Sequence, residues 1–297
     1  MFSQIKRLVE REFSGQNAKE PTAGIHGHDR WSSFSQYRRS GNYIAERMRD
    51  YGLERIELME IPADGETKYG DWTMPRAWDV EQATLEILQP AESARVLADY
   101  QQEPPSLAMW SAPTPEGGVE AEVVLLPKDP KEEDYRALDL AGKIVFTSQH
   151  AGSVRGAAAR HGALGVISDW PACEDDALAE GVCWVNAWVD HHGWGFLKID
   201  TPIFGFAVNR EKGAHLRRLL EGGERVVVRA DVRSWLYDGA FLLPTGVIPG
   251  ETDEEVLGYA HAYEYGAEDN AAGCSLLLEA ARVLGKLVRN GELPRPR

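Results

Sequence analysis

Cysteine is scarce in this chain, with three in 297 residues: Cys173, Cys183 and Cys274. An odd number leaves at least one thiol unpaired, and the spacing matches neither a zinc finger nor a redox pair. Cys274, at the head of an apolar stretch, reads as a buried thiol. Cys173 and Cys183 are close enough in sequence to pair, but little else speaks for an oxidising compartment. No run approaches the roughly 18 apolar residues of a membrane span. Residues 1–15 are amphipathic and mixed in charge, without the apolar core and small-residue cleavage site of a secretory signal. With Met1 as the native start, a cytoplasmic protein is expected. Positive charge is also short: 32 Lys and Arg stand against 47 Asp and Glu, for a net charge of −15. Such a chain repels phosphate backbones, and no basic, aromatic-laced stripe offsets this, so nucleic acid is not expected as a partner. The acidity reads as solubility. Internal repeats, low-complexity segments, a Gly-x-Ser-x-Gly elbow, a phosphate loop and a dinucleotide fingerprint are all missing. The common serine-hydrolase, nucleotide and NAD readings fall away with them.

The length suits about two domains of ~150 residues, and 43% hydrophobic content gives ample material for a core. Residues 1–14 read as helix and 15–30 as a Gly-, His- and polar-rich loop. A helix is expected from Ser35 to Tyr51, striped by Tyr37, Tyr43, Ile44, Met48 and Tyr51 and stopped by Gly52. Period-two alternation over 55–61 predicts a strand. Trp72 and Trp78 flank Pro75, either as a packing pair or as the wall of a pocket. Composition shifts near 102–105 and 235–245 bracket a segment with its own order. It has a turn and strand at 138–146, a small-residue helix at 154–161 and strands at 162–168 and 201–208. A helix at 213–221 and a strand at 225–232 complete it.

The richest stretch is 256–273. Val256-Leu257-Gly258-Tyr259-Ala260 reads as a short buried strand that delivers His261. After a glycine turn come Glu268, Asp269 and Asn270. A helix then runs from about Ala271 to Arg289, with Leu276, Leu277, Ala280, Val283, Leu284 and Leu287 on its apolar side. An imidazole and a carboxylate are thereby placed at the carboxyl end of a strand, where open α/β sheets bind ligands, and both are zinc-binding groups. A lone histidine there ordinarily just finds a polar partner; the pair within one motif is what carries information. Glu264 and Glu268 read as solvated. His191 and His192 are adjacent, so on a strand they point to opposite faces and suit one metal poorly. His26, His28 and Asp29 could share one face of an extended segment, with a solvated loop as the blander reading. His150 and His161 are expected on the surface of the inserted segment.

The run Gly266-Ala267-Glu268-Asp269-Asn270-Ala271-Ala272-Gly273 resembles the Gly-Ala-x-Asp-Asn-Ala-Ser-Gly motif of the co-catalytic zinc aminopeptidases. These form family twenty-eight of the metallopeptidases, with glutamate carboxypeptidase and the transferrin receptor as relatives. The resemblance implies that His261 binds one zinc and that Asp269 bridges two. Three further pieces resemble a protease-associated domain, which relatives carry as an insertion. They are Asp139-Leu140-x-Gly142-Lys143-Ile144-Val145, then Ala158-x-x-x-Gly162-Ala163-x-Gly165-Val166-Ile167, then Gly213-x-x-Leu216-x-x-Leu219-Leu220-x-x-Gly223. The implied fold is α/β: an incomplete aminopeptidase-like α/β/α core from residues 1–103 and 238–297, with an α+β protease-associated domain at 104–237.

Two positions depart from the family pattern. Tyr263 stands where the family commonly has an Asp that orients the imidazole, and Ala272 stands where it has Ser. The family also supplies a Glu-Glu pair, a further Asp and a distal His later in the chain, and no match follows Gly273. The expectation is therefore the amino-terminal part of a two-zinc peptidase, inactive alone, with its general-base glutamate beyond Arg297. It would act on a peptide or amide substrate, with no membrane partner and with room for a homo-oligomer. The rival expectations are a non-catalytic binding protein, as the transferrin receptor is, an interaction module working through the inserted domain, and a deacylase or cyclase on the same scaffold.

Overall fold

A computed structural model describes residues 2–171, 180–186, 188 and 195–295. The chain divides into two compact units, one from residues 1–61 and 240–297 and the other from 62–239. Among the described residues no helix is long and apolar enough to cross a membrane.

The first unit begins with three helices, α1 (Phe2–Glu12), α2 (Gly15–Asp29) and α3 (Phe34–Asp50), followed by strand β1 (Glu54–Ala63). Helix α2 corrects the expected loop at 15–30. Its glycines and Pro21 lower helix propensity, by ~1 kcal/mol for each glycine, but packing overrides that. Ser14 caps the start, its hydroxyl accepting the Asn17 N–H at 3.4 Å. Pro21, Ile25 and Asp29 then bury one face at a spacing of four. Gly24 is needed for close approach, since a Cβ there would lie 2.6 Å from the Tyr43 ring. Helix α3 follows its predicted stripe, burying Phe34, Tyr37, Ser40, Gly41, Ile44 and Ala45. It ends at Gly52, whose φ of +74° favours a residue without a Cβ.

The second unit opens with a small hairpin, β2 (Lys68–Tyr69) and β3 (Trp72–Thr73), and then β4 (Ala77–Gln89) and β5 (Arg95–Asp99). It continues through β6 (Val119–Leu125), α4 (Glu132–Ala137), β7 (Ile144–Thr147), α5 (Ala151–Arg160) and β8 (Gly165–Ser168). It closes with β9 (Phe204–Ala207), α6 (Arg210–Glu221) and β10 (Val227–Tyr237). Seven of these strands make one sheet in the order β5-β4-β10-β6-β7-β8-β9. Its β5, β4, β10 and β6 pair antiparallel, and β6 to β9 are parallel. The short parallel strands are buried along their whole length, as expected of strands covered on both faces. The unit begins well before residue 104, because β4 pairs with β10 from Ala77–Tyr237 to Gln89–Val227. Trp78 is buried and its indole donates to the Ser111 carbonyl at 3.0 Å, so it is a packing residue, whereas Trp72 is exposed on the hairpin. Arg155 is fully buried, with its guanidinium over the Trp188 and Phe196 rings at 5.7 and 5.3 Å and a bond to the Thr201 carbonyl. His150 caps α5, accepting the Gly152 N–H through Nδ1 at 3.3 Å. His161 meets Glu132 at 3.0 Å. His191, His192 and Cys173 lie outside the described residues.

The chain re-enters the first unit through β11 (Gly239–Val247), which pairs with β1, and ends in helix α7 (Gly273–Arg289). Ile25 of α2, Ile44 of α3, and Cys274 and Leu278 of α7 form its core with Ala271. Cys274 is the buried thiol that the sequence predicts. The apolar side of α7 differs in part from expectation: Cys274, Leu278, Val283 and Leu287 are buried, while Leu276 and Leu284 are exposed. A larger correction concerns the strand expected at 256–260. These residues pair with no strand among those described, and Val256, Leu257 and Tyr259 are 101, 82 and 87% exposed. The sequence has the right side chains for a strand, but a strand also needs a neighbour for its N–H and C=O groups.

Candidate functional site

His261 follows that extended segment, and Asp269 lies in a π-type turn, Ala267–Ala272, that leads into α7. The turn begins at Gly266, where a Cβ would come within 2.5 Å of the Asp269 carbonyl oxygen. The sequence thus places both side chains on one lip of the first unit. His261 Nε2 lies 3.0 Å from Asp269 Oδ1, and both side chains are exposed.

Asn270 holds the imidazole from its other side. Its amide Nδ2 donates to the His261 carbonyl at 3.0 Å and faces Nδ1 at 3.2 Å. An amide nitrogen can only donate, so in this arrangement Nδ1 accepts and Nε2 carries the proton given to Asp269. The Cys274 thiol also donates to the His261 carbonyl, at 3.1 Å. The backbone of His261 is therefore tied both to the π-type turn, through Asn270, and to the first turn of α7, through Cys274. Asn270 belongs to the quoted motif, but its role as the support of His261 was not read from sequence. The signal was there, since an Asn next to the acidic residue at a helix start is a natural local hydrogen-bonder.

Tyr263, at the position of the family's orienting Asp, packs into an aromatic cluster. Its ring packs with Phe34, Tyr37 and Phe241, at centroid distances of 5.1, 4.8 and 5.4 Å. Glu264 is half-buried, where the sequence suggests a solvated residue. Burial raises its pKa, the nearby Asp269 charge adds to that, and His261 opposes it. Glu268 is exposed as expected. His26 and His28 lie on helix α2 and not on an extended segment. They face different neighbours, His26 edge-on to Tyr265 and His28 edge-on to Tyr43.

Beside His261 runs a groove of about 410 Å³, with His261 and Asn270 at its polar end and Tyr259, Leu276, Leu277 and Ala280 along its apolar walls. The donor set of the lip suits a divalent metal such as zinc. Two ligands each ~2.0–2.1 Å from one tetrahedral ion sit about 3.3 Å apart, close to the observed 3.0 Å. Two ligands are, however, half of a four-coordinate site. Among the described residues no group of three or more His, Cys, Asp or Glu side chains converges to hold a metal.

No known family profile matches the chain, and no curated protein matches it in sequence. Solved structures do match. A peptidase M28 precursor from Shewanella amazonensis SB2B aligns over 98% of this chain and 63% of its own, at 17% identity and a TM-score of 0.65. A zinc aminopeptidase from Bacillus subtilis aligns over 92% and 58%, at 18% identity and a TM-score of 0.56. An aminopeptidase from Aneurinibacillus sp. strain AM-1 aligns over 94% and 61%, at 16% identity and a TM-score of 0.51. At these identities the likeness is one of fold: this chain has the α/β fold of those peptidases over nearly all its own length and about three fifths of theirs.

Proposed function

We propose that this chain carries part of the metal site of a zinc-dependent peptidase of the aminopeptidase type, acting on peptide or amide bonds. The observation that carries the reading is the convergence of His261 Nε2 and Asp269 Oδ1 at 3.0 Å, in a fold shared with zinc aminopeptidases. His261 would hold zinc through Nε2, and Asp269, with two oxygens, would bridge to a second ion. Bound zinc in such sites lowers the pKa of its water toward 7 and polarises a carbonyl. Asn270 keeps the imidazole turned toward Asp269, and a metal held there would take the place of the proton now between them. The remaining ligands and a general base would come from outside residues 1–297, and the protease-associated identity of residues 104–237 belongs to the same proposal. Zinc titration followed by calorimetry tests the reading. A zinc affinity lost in both His261→Ala and Asp269→Ala supports it, and an affinity unchanged by either substitution rejects it.

One observation favours a second reading, a binding protein without catalysis on the same scaffold. Tyr263 is committed to an aromatic cluster, so the imidazole lacks the carboxylate support common at hydrolytic zinc sites. Hydrolysis of aminoacyl amides by the native protein, abolished by His261→Ala, would exclude it.

A further inference from the structure

Asp29 is a buried acid that the chemistry of the lip leaves unused. It lies on the buried face of α2, one turn beyond Ile25, and Ile25 packs with Ala271 and Cys274 in the core of the first unit. Its carboxyl accepts the Ser40 hydroxyl of α3. Tyr37 faces it from α3 and Cys274 from α7, and its charge raises the pKa of both. Among the described residues no neighbouring charge offsets its burial. On α2 itself, His26 and His28 turn to Tyr265 and Tyr43, and Arg39 of α3 acts on His28. Glu279 of α7 is paired with Arg282, and Glu268 and Asp269 of the π-type turn are exposed. The donors that face the acid are thus a hydroxyl, a phenol and a thiol.

The phenol is committed, since Tyr37 donates to the Leu242 carbonyl at 2.7 Å. The thiol donates to the His261 carbonyl at 3.1 Å, beside the Asn270 amide at 3.0 Å. A thiol is a weak donor, and a charged acceptor holds a donor about twice as strongly as a neutral one. A buried carboxylate short of donors is also costly. We propose that Cys274 is a two-position donor that couples the interior acid to the lip: with Asp29 neutral its S–H holds the His261 carbonyl, and with Asp29 charged it turns to the carboxylate. The proton stays on sulfur in both positions, because burial, with the Asp29 charge added, pushes the thiol up to about 11. The His261 backbone then passes from two side-chain bonds to one, and the imidazole gains freedom as pH rises. Burial brings the Asp29 proton up to about 7, so the change falls near neutrality. No metal enters this coupling, which holds whether or not the lip binds zinc.

Infrared spectroscopy and NMR on this chain, with a chelator present, test it. The S–H stretching band of Cys274, assigned by its loss in Cys274→Ala, is followed with pH beside the carboxyl carbon of Asp29 and the carbonyl carbon of His261. The expected result is one shared midpoint near pH 7. Above it the S–H band moves to lower frequency, as it does for a stronger acceptor. The His261 carbonyl also feels its own ring, so its readout is the difference between the protein and Asp29→Asn. Asp29→Asn should remove the step in the S–H band and the matching part of the carbonyl shift. Ser40→Ala should move the step to higher pH, since the Ser40 bond favours the charged acid. Cys274→Ala should leave Asp29 titrating and cut its effect on the carbonyl. An S–H band that stays still while the Asp29 carbon titrates would overturn the proposal with no substitution needed. So would an Asp29 carbon that does not titrate near neutrality, or a carbonyl titration identical in Asp29→Asn. Zinc binding is measured apart, so the peptidase reading and this coupling can each fail without the other.

Discussion

The Ser40 hydroxyl donates to Asp29 Oδ1 at 2.5 Å, bonding a carboxyl that is only 6% exposed. Burial pushes this acid from its ordinary 3.8 up to about 7, and the Ser40 bond opposes that only in part. Its charge in turn raises Tyr37 and Cys274 in the same interior, beyond what their own burial does, with Cys274 pushed up to about 11. Between pH 4 and 7 the folded chain keeps the Asp29 proton while the unfolded chain releases it. The folded state then binds more protons, so this group's contribution makes stability fall as pH rises through that window and level off above it. Asp29→Asn keeps an acceptor for Ser40 and is expected to stabilise the chain by about 1–3 kcal/mol at pH 8 and by little at pH 4. Urea unfolding at the two pH values checks this, and an equal effect at both would contradict it.

Glu279 should behave in the opposite way. It is buried on α7, accepts the Ser14 N–H at 2.9 Å, and is bridged by Arg282 at 2.6 and 2.7 Å. Burial disfavours its charge, yet the Arg282 and Ser14 hydrogen bonds outweigh that and lower its pKa. Its contribution is therefore complete above the ordinary carboxylate range and lost as pH falls through the lowered value. Glu279→Ala, which leaves Arg282 without its carboxylate, is expected to cost about 2–4 kcal/mol at pH 7. Denaturant unfolding measures it, and a loss below about half a kcal/mol would mean that water replaces the carboxylate.

At Gly165 the second unit tolerates no side chain. A Cβ there would lie 2.2 Å from the ring of Phe204 on the neighbouring strand. Gly165→Ala is expected to destabilise that unit by about 1–3 kcal/mol through overpacking. Adding Phe204→Leu should recover much of the loss. A double substitution no more stable than Gly165→Ala would show that the backbone, not the ring, sets the constraint.

Tyr263 is a packing residue. Tyr263→Ala is expected to cost about 2–3 kcal/mol in thermal or urea unfolding. Restoring the carboxylate with Tyr263→Asp should destabilise at least as much, because a charge would enter an aromatic cluster. Unfolding unchanged in both variants would show that the cluster contributes nothing.

At the lip, zinc binding is expected to respond non-additively. His261→Ala and Asp269→Ala act on one ion, so the double substitution should weaken zinc by little more than either alone. Asn270→Ala frees the imidazole from its support and should weaken zinc by about tenfold. Additive losses measured by competition with a chelator would place the two ligands on separate ions.

Much of this arrangement was legible from residue spacing. The stripe of α3, the alternation of β1 and the order β7-α5-β8-β9-α6-β10 follow from local pattern alone. Helix α2 was not legible, because its glycines and Pro21 speak against a helix until Tyr43 and Ile44 are there to pack on it. The long strand β4 is hard to read because Pro75 and Trp78 mark its start as a turn and its partner β10 lies far along the chain. The proximity of His261 and Asp269 is legible because the motif is local. The role of Asn270 was missed because it depends on how the turn folds back. The segment at 256–260 has a strand-like composition but pairs with no strand among those described, since pairing is a property of two segments.

The division of the first unit between residues 1–61 and 240–297 sets an order for synthesis. Helices α1 to α3 leave the ribosome before the second unit, yet α7, on which they pack, is made after it. All of residues 62–239 must be translated in between, which at 5–20 residues per second takes roughly ten to forty seconds. For that time α2 and α3 have each other but not α7 to pack on, whereas the second unit is contiguous and can fold as it emerges. The first unit thus completes its core only after the whole of the second has been made.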